Sequence, residues 1–148
     1  MADRKFHLAF PVRDLAKAID FYHGLLDCPL GRQAANWVDF DFFGNQISAH
    51  FSPGELSGPK TNPVDGDKVP VRHFGAILEW PEWEALAEKL KAAGVFFIIE
   101  PKVRFKGKIG EQGTFFILDP SGNALEFKTF KSQDSIFAKE KMEKNHDQ

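Results

Sequence analysis

Two kinds of apolar spacing alternate along this chain, and they distinguish predicted strands from predicted helices. Apolar residues at every second position are typical of a strand with one buried face, whereas spacings of three and four residues are typical of an amphipathic helix. The segment KFHLAFPV shows the first spacing, and LAKAIDFYHGLL shows the second. The first part of the chain is therefore predicted to contain a strand over residues 5–12, a helix over 15–26 that begins after the N-cap Asp14, and a hairpin of strands over 36–43 and 46–51 around the turn Gly44-Asn45.

The same order of elements returns after a break in composition. Residues 52–70 are rich in Pro, Gly, Ser and Asp, and no apolar period survives in them, which predicts a loop or linker. Residues 101–112 are basic and contain two glycines, so they predict a second loop. The remaining predicted elements are a strand over 71–79, a helix over 81–93, strands over 95–100, 113–119 and 122–130, and an exposed, fraying helix in the charged segment 131–148.

This repetition predicts the fold class. A β-α-β-β-β unit written twice gives an α+β fold made of two βαβββ modules. We expect one domain over residues 1–148, in which module one covers about 5–52, the linker about 53–70, module two about 71–130 and the charged C-terminal segment 131–148.

Composition narrows the classes of function. The chain has 148 residues, of which 43% are hydrophobic, and a net charge of -2, which fits a folded domain and not a disordered chain. No apolar run reaches the roughly 18 residues of a membrane helix, and a nucleic-acid binder would usually be basic. The single cysteine, Cys28, excludes an intramolecular disulfide and fits a reducing compartment. We expect a cytoplasmic protein that binds a small-molecule substrate, with no nucleic acid and no membrane as partner.

Four polar side chains occupy two pairs of equivalent positions in the repeat. A shift of 66 residues places His7 on His73, and a shift of 76 places His50 on Glu126. Same-face neighbours in a strand are two residues apart. For these four positions the neighbours are small, which predicts a polar face with room for a ligand; they are Ala9, Gly75, Ser48, Ser52 and Ala124.

Such a set is suited to metal coordination. Imidazole nitrogen with carboxylate oxygen fits Fe(II), Mn(II), Ni(II) or Zn(II). The structural alternative makes Lys128 a salt-bridge partner of Glu126. The basic loop is either a solvated surface or an anion-binding lid, and Glu111 within it is a candidate for proton transfer; the basic residues are Lys102, Arg104, Lys106 and Lys108.

Three motifs resemble the vicinal oxygen chelate superfamily, which includes glyoxalase I, bleomycin-resistance proteins, fosfomycin-resistance enzymes and extradiol dioxygenases. They are FHLAFPVRDLAKAIDFYHGLL, HFGAILEW and FFILDPSGNALEFK, and the resemblance covers about residues 5–130. Within the superfamily the chain is most similar to the small predicted extradiol-type dioxygenases, through WVDFDFFGNQISAHF, VPVRHFGAILEW and GEQGTFFILDPSGNALEFK.

The resemblance implies that the paired modules form a cupped mixed sheet around a divalent metal. His7, His73 and Glu126 match the His, His and Glu ligand positions of the family. His50 matches a fourth position, which in glyoxalase I carries a glutamate that acts as ligand and base. In this chain His50 is either a fourth ligand or the acid/base of the reaction.

The implied function is a metal-dependent dioxygenase of extradiol type, with Fe(II) favoured, that acts on a small diol or phenol. Arg104 and Lys106 would bind negative charge on the substrate. The alternatives are a glyoxalase-like lyase or isomerase that uses Ni(II) or Zn(II), and a non-catalytic binding protein of the bleomycin-resistance kind. We expect a homodimer, whose modules are paired within one chain or exchanged between two.

Overall fold

Ten strands and two α-helices form in the computed structural model of the protein, which describes residues 3–56, 58 and 60–139. They divide into two compact units. Unit 1 comprises the chain up to Thr61 together with Pro70–His73 and Leu118–Ala124. Unit 2 comprises Asn62–Val69, Phe74–Ile117 and the chain from Leu125 onwards.

Unit 1 contains a four-stranded sheet in the order β1-β4-β3-β2. Strand β1 pairs with β4 in parallel, and the other neighbours are antiparallel. The predicted helix is confirmed, although its second half winds as a π-helix. The elements are β1 His7–Val12, α1 Leu15–Ile19, a π-helical turn Asp20–Leu25, β2 Leu30–Ala34, β3 Trp37–Phe42 and β4 Asn45–Phe51.

The core of unit 1 is built around Tyr22, which is fully buried. Its ring centroid lies 5.5 Å from that of Phe10, 4.9 Å from Phe21 and 5.2 Å from Phe40. Asp14 caps α1 as predicted, because its side chain accepts a hydrogen bond from the Lys17 N–H at 2.9 Å. The cap fixes the start of α1, and the contacts of Tyr22 with Phe10 and Phe40 hold the helical segment against one face of the sheet.

The predicted turn in FFILDPSGNALEFK belongs to unit 1, where it forms a buried polar network. Asp119 accepts hydrogen bonds from the Tyr22 hydroxyl at 2.8 Å, from the backbone N–H of Ser121 at 2.8 Å and from both the N–H and the side-chain amide of Asn123 at 2.9 Å. The Asn123 amide also donates to the Pro11 carbonyl at 2.9 Å, and the Arg13 N–H donates to the Ser121 hydroxyl at 2.9 Å. The turn therefore fastens the end of β1 and the start of the helical segment.

Cys28 is buried, and we predict that its thiol is inert in the folded protein. Burial, reinforced by the negative charges of Asp41 and Asp27, raises the pKa of this thiol to about 12. The pKa of a cysteine thiol in an unfolded chain is about 8.5. As pH rises, the unfolded state therefore loses this proton at a lower pH than the folded state does. The contribution of Cys28 to the free energy of unfolding therefore falls as pH rises between these two values.

Thiol titration with Ellman's reagent at about pH 8 checks this prediction. The native protein should react slowly, and the protein in guanidinium chloride should react at once, with one thiol per chain. Equal rates in both conditions would contradict it. A Cys28→Ala variant should also lose less stability than the wild type when the pH is raised above about 9.

Unit 2 contains a second four-stranded sheet, in the order β7-β10-β9-β8, in which β7 and β10 are parallel. Helix α2 packs its Trp83 ring 5.8 Å from that of Phe115, and the Phe115 ring lies 5.4 Å from Phe97 and 5.5 Å from Phe127. The elements that follow β4 along the chain are β5 Lys60–Val64, β6 Asp67–Val71, β7 Phe74–Ile77, α2 Trp80–Ala92, β8 Phe97–Arg104, β9 Gln112–Leu118 and β10 Ala124–Phe130.

Several predicted boundaries are wrong. The stretch 52–70, predicted as a loop, contains a 3-10 turn at Pro53–Glu55 and the paired strands β5 and β6. Strand β8 continues through Arg104, so the basic loop is confined to residues 105–111. Of the C-terminal segment 131–148, predicted as a helix, the structure describes residues 131–139, which contain a 3-10 turn at Gln133–Ser135 and no α-helix. The rest of that prediction, over residues 140–148, lies outside the described part.

The predicted α+β class with two βαβββ modules is confirmed. Each module contributes one strand, one helix and three further strands, with β5 and β6 inserted between the modules. No helix within residues 3–56, 58 and 60–139 is long and apolar enough to cross a membrane.

Candidate metal centre

One face of the unit 1 sheet carries the polar residues. Residues that lie opposite one another on neighbouring strands have their side chains on the same face of the sheet. Across β1, β4 and β3 this face carries three rows of residues: His7 with Gln46 and Asp41, Ala9 with Ser48 and Asp39, and Pro11 with His50 and Trp37. His7 and His50 are exposed on this face. The predicted alternation of a polar face with a bulky buried face is thus confirmed for β1 and β4.

The strand register corrects the predicted equivalence of His50 and Glu126. In unit 1, Ala9, two residues after His7, lies opposite Ser48. In unit 2, Gly75, two residues after His73, lies opposite Glu126. Ser48 therefore occupies the position equivalent to Glu126, and His50 is two residues further along its strand.

This register also separates the two histidines of the face. The residue opposite His7 is Gln46, and His50 lies four residues further along β4. Four residues of strand span about 13 Å. His50 is therefore better placed to contact a molecule bound on the face than to share one ion with His7.

His73 precedes β7 and is exposed. Its Nδ1 lies 2.6 Å from the Pro70 carbonyl oxygen. A carbonyl oxygen only accepts, so Nδ1 carries the proton and Nε2 is the basic nitrogen of the ring. This arrangement is typical of a metal-binding histidine, whose second nitrogen is oriented by a hydrogen bond.

Glu126 lies half-buried on β10 and is held from the neighbouring strand β9. The hydroxyl of Thr114, which is fully buried, donates to Glu126 Oε2 at 2.5 Å. On the other side, Gly75 approaches the Glu126 backbone so closely that a Cβ at position 75 would overlap the carbonyl oxygen. Lys128, the alternative partner in the sequence, has its Nζ 5.3 Å from the ring centroid of Phe130.

The predicted ligands are divided between the units: His7, His50 and His73 belong to unit 1 and Glu126 to unit 2. Among the residues that the structure describes, no three His, Cys, Asp or Glu side chains form a group that could hold a metal ion. Neither unit alone contains the predicted set. The chemistry of the set nevertheless fits a divalent cation, because it combines imidazole nitrogens with a carboxylate oxygen.

Two of the basic residues predicted to form a lid are engaged in ion pairs. Arg104 is 3% exposed; its guanidinium donates to Asp67 Oδ2 and to the Val64 carbonyl, each at 2.9 Å. Lys102 Nζ lies 2.9 Å from the same Asp67 oxygen. The Lys102 hydrogen bond is the main cause that lowers the pKa of Asp67. These contacts fasten β5 and β6 to strand β8.

The other three predicted residues of this region lie in the loop 105–111; they are Lys106, Lys108 and Glu111. Lys106 is exposed within it. Glu111 Oε1 accepts the Gly107 N–H at 3.0 Å, and Oε2 lies 3.8 Å from Lys131 Nζ. Glu111 thus holds the loop closed on itself, and its proton-transfer role stays a prediction from the sequence.

Unit 1 also has a cleft of about 340 Å³. Its lining includes Gln46 and Asp39, which share the face of His7. Asp39 is buried and accepts a hydrogen bond from the Ser48 hydroxyl at 2.5 Å. Sequence reasoning missed Asp39, Gln46 and Thr114, because their significance depends on which residue lies opposite in the neighbouring strand.

Comparison with known proteins identifies the family. The model of the Glyoxalase/Bleomycin resistance protein/Dioxygenase superfamily matches residues 5–127. This chain belongs to that superfamily. The resemblance noted in the sequence to the vicinal oxygen chelate superfamily is therefore confirmed.

Solved structures of the superfamily support the assignment. A glyoxalase/bleomycin resistance protein/dioxygenase from Alicyclobacillus acidocaldarius is 36% identical, covers 91% of this chain and 97% of its own, and has a TM-score of 0.74. The fosfomycin resistance protein FosX from Listeria monocytogenes is 18% identical, with 91% and 98% covered and a TM-score of 0.67. A lactoylglutathione lyase from Agrobacterium tumefaciens is also 18% identical, with 86% and 94% covered and a TM-score of 0.63. The last two show the fold alone, and no curated protein matches this chain.

Proposed function

We propose that this superfamily member is a divalent-metal-dependent enzyme that acts on a small molecule through two adjacent oxygen atoms. Members of the superfamily typically use divalent metals. The observation that carries the proposal is that two of the predicted ligands are already oriented. His73 is fixed by the Pro70 carbonyl and Glu126 by the Thr114 hydroxyl, as outer partners fix metal ligands.

His7, His73 and Glu126 are the proposed ligands. Two histidines and one carboxylate leave coordination positions open, which is the ligand set of many non-haem Fe(II) oxygenases. These three residues would hold Fe(II), whose chemistry would be to accept the two adjacent substrate oxygens as a chelating pair and to leave a coordination position open for dioxygen. Ni(II), Zn(II) and Mn(II) are the other ions that this set accepts.

His50 is the proposed acid/base. It is exposed on the face that carries His7, and an imidazole nitrogen is a common general base. It would accept the proton of a substrate hydroxyl.

Lys106, which is exposed, would bind negative charge on the substrate. Arg104 would contribute by holding β5 and β6 in place through its ion pairs.

We further propose a homodimer, since superfamily members often form dimers. A ring-cleaving dioxygenase of extradiol type acting on a diol or phenol is the specific activity proposed.

Elemental analysis of protein purified without added metal tests this function. We expect near-stoichiometric iron in the wild type and at least a tenfold loss of metal in Glu126→Gln. Glu100→Gln, which changes an exposed carboxylate on β8, should keep the wild-type metal content. The iron-loaded protein should consume oxygen with catechols, and His50→Ala should retain metal while losing oxygen uptake.

Other outcomes would redirect or overturn the proposal. Nickel or zinc with anaerobic turnover would indicate a lyase or isomerase. Protein that holds no metal after anaerobic reconstitution would contradict a metalloenzyme. Ligand-induced stabilisation that is unchanged by a chelator would then indicate a non-catalytic binding protein.

A further inference from the structure

Thr114 and Glu126 form a hydrogen-bonded pair across strands β9 and β10. Thr114 is fully buried, and its hydroxyl donates a hydrogen bond to Glu126 Oε2 at 2.5 Å. A hydroxyl that donates to a carboxylate makes a charge-assisted bond. The bond occupies one carboxylate oxygen and fixes the plane of the group. A carboxylate held in this way loses little rotamer freedom when it binds a cation.

We propose that Thr114 is a positioning residue for metal binding: its hydroxyl holds the Glu126 carboxylate in the orientation in which it coordinates. The inference rests on the proposed function, because it requires Glu126 to be a ligand. It goes further by assigning part of the metal affinity to a residue that is not itself a ligand.

The same sheet shows that burial alone does not force this pairing. Thr129, which lies on β10 with Glu126, is fully buried, and its hydroxyl has no hydrogen-bond partner within the residues that the structure describes. The sheet therefore tolerates a buried threonine hydroxyl without an acceptor. The short bond to Glu126 is then a specific feature of the Thr114 position.

Thr114→Val is the test, because valine keeps the shape of the side chain and removes only the donor. Isothermal titration calorimetry, in which Ni²⁺ alone is added to the metal-free protein, measures the dissociation constant for Ni²⁺. Loss of an outer partner of this kind typically weakens metal binding by about 10- to 100-fold, and we expect that range for Thr114→Val. Thr114→Ser, which keeps the hydroxyl, should bind within about threefold of the wild type.

Thr129→Val is the matched control, since it makes the same change at a buried position on the adjacent strand. It should leave the Ni²⁺ dissociation constant unchanged, and urea unfolding should show equal or higher stability, because it removes a hydroxyl without a partner. If Thr114→Val is too unstable to titrate, the comparison of Thr114→Ser with Thr114→Ala at low temperature replaces it.

The outcomes separate the inference from the proposed function. Weaker Ni²⁺ binding in Thr114→Val, with serine rescue and a normal control, supports both. Wild-type affinity in Thr114→Val would overturn the positioning role while leaving the metal site intact. A wild type that binds no metal would overturn both, and equal weakening in Thr129→Val would show a general effect of packing and overturn the positioning role.

Discussion

Asp119→Ala should lower the free energy of unfolding by about 3 kcal/mol or more, since it removes a buried carboxylate that accepts four hydrogen bonds. The Tyr22 hydroxyl and the N–H groups of Ser121 and Asn123 would lose their acceptor inside the protein. Each such buried donor costs about 1–3 kcal/mol. Urea unfolding followed by fluorescence measures the change.

Two further variants show whether the network is responsible. Tyr22→Phe keeps the ring in the core and removes one donor, so it should cost about 1.5–3 kcal/mol, less than Asp119→Ala. Asp20→Ala changes an exposed carboxylate in the same helical segment and should have little effect. Wild-type stability in Asp119→Ala would show that the turn does not hold unit 1 together.

Gly75→Ala should disrupt the pairing of β7 with β10. An added Cβ would overlap the carbonyl oxygen of Glu126 and also crowd its carbonyl carbon and amide nitrogen, and backbone atoms cannot rotate away as a side chain does. We expect a loss of about 3 kcal/mol or more in the free energy of unfolding. Metal binding should weaken as well, because the strand that carries Glu126 must move.

Gly110→Ala is the matched control, since a Cβ at position 110 would meet no atom within 4 Å. Its stability and Ni²⁺ affinity should equal those of the wild type. Wild-type stability in Gly75→Ala would mean that β7 and β10 have room to separate at low cost. In that case the absence of a side chain at position 75 would not explain the position of Glu126.

Periodicity predicted most strands and both helices, because each buries one face and so leaves an apolar period in the sequence. Strand β2 was not predicted, because all five of its residues are exposed and its sequence therefore shows no apolar period. Strands β5 and β6 were missed because β5 buries nothing and β6 buries only Val69 and Pro70. They pair with each other, and β6 is joined to the rest of unit 2 by the ion pairs of Asp67 with Lys102 and Arg104 and by Val69, which packs with Ile99 and Phe116. No local pattern in the sequence reveals these contacts.

The candidate site was only partly predictable. A period of two assigns a residue to a face but does not say which residue of the next strand lies opposite. His50 was therefore placed on the correct face of unit 1 and two residues away from the position equivalent to Glu126. Thr114 gave no signal at all, since its role depends on a partner twelve residues away in the chain.

The Asp119 turn has a consequence for how this chain can be divided. Its residues lie in the second half of the sequence, yet they complete the first unit. A fragment ending near the linker would leave Tyr22 without its acceptor, so the two halves of the sequence are not independent folding units. Co-expressed halves should recover a native fold only when the second supplies Asp119 in trans.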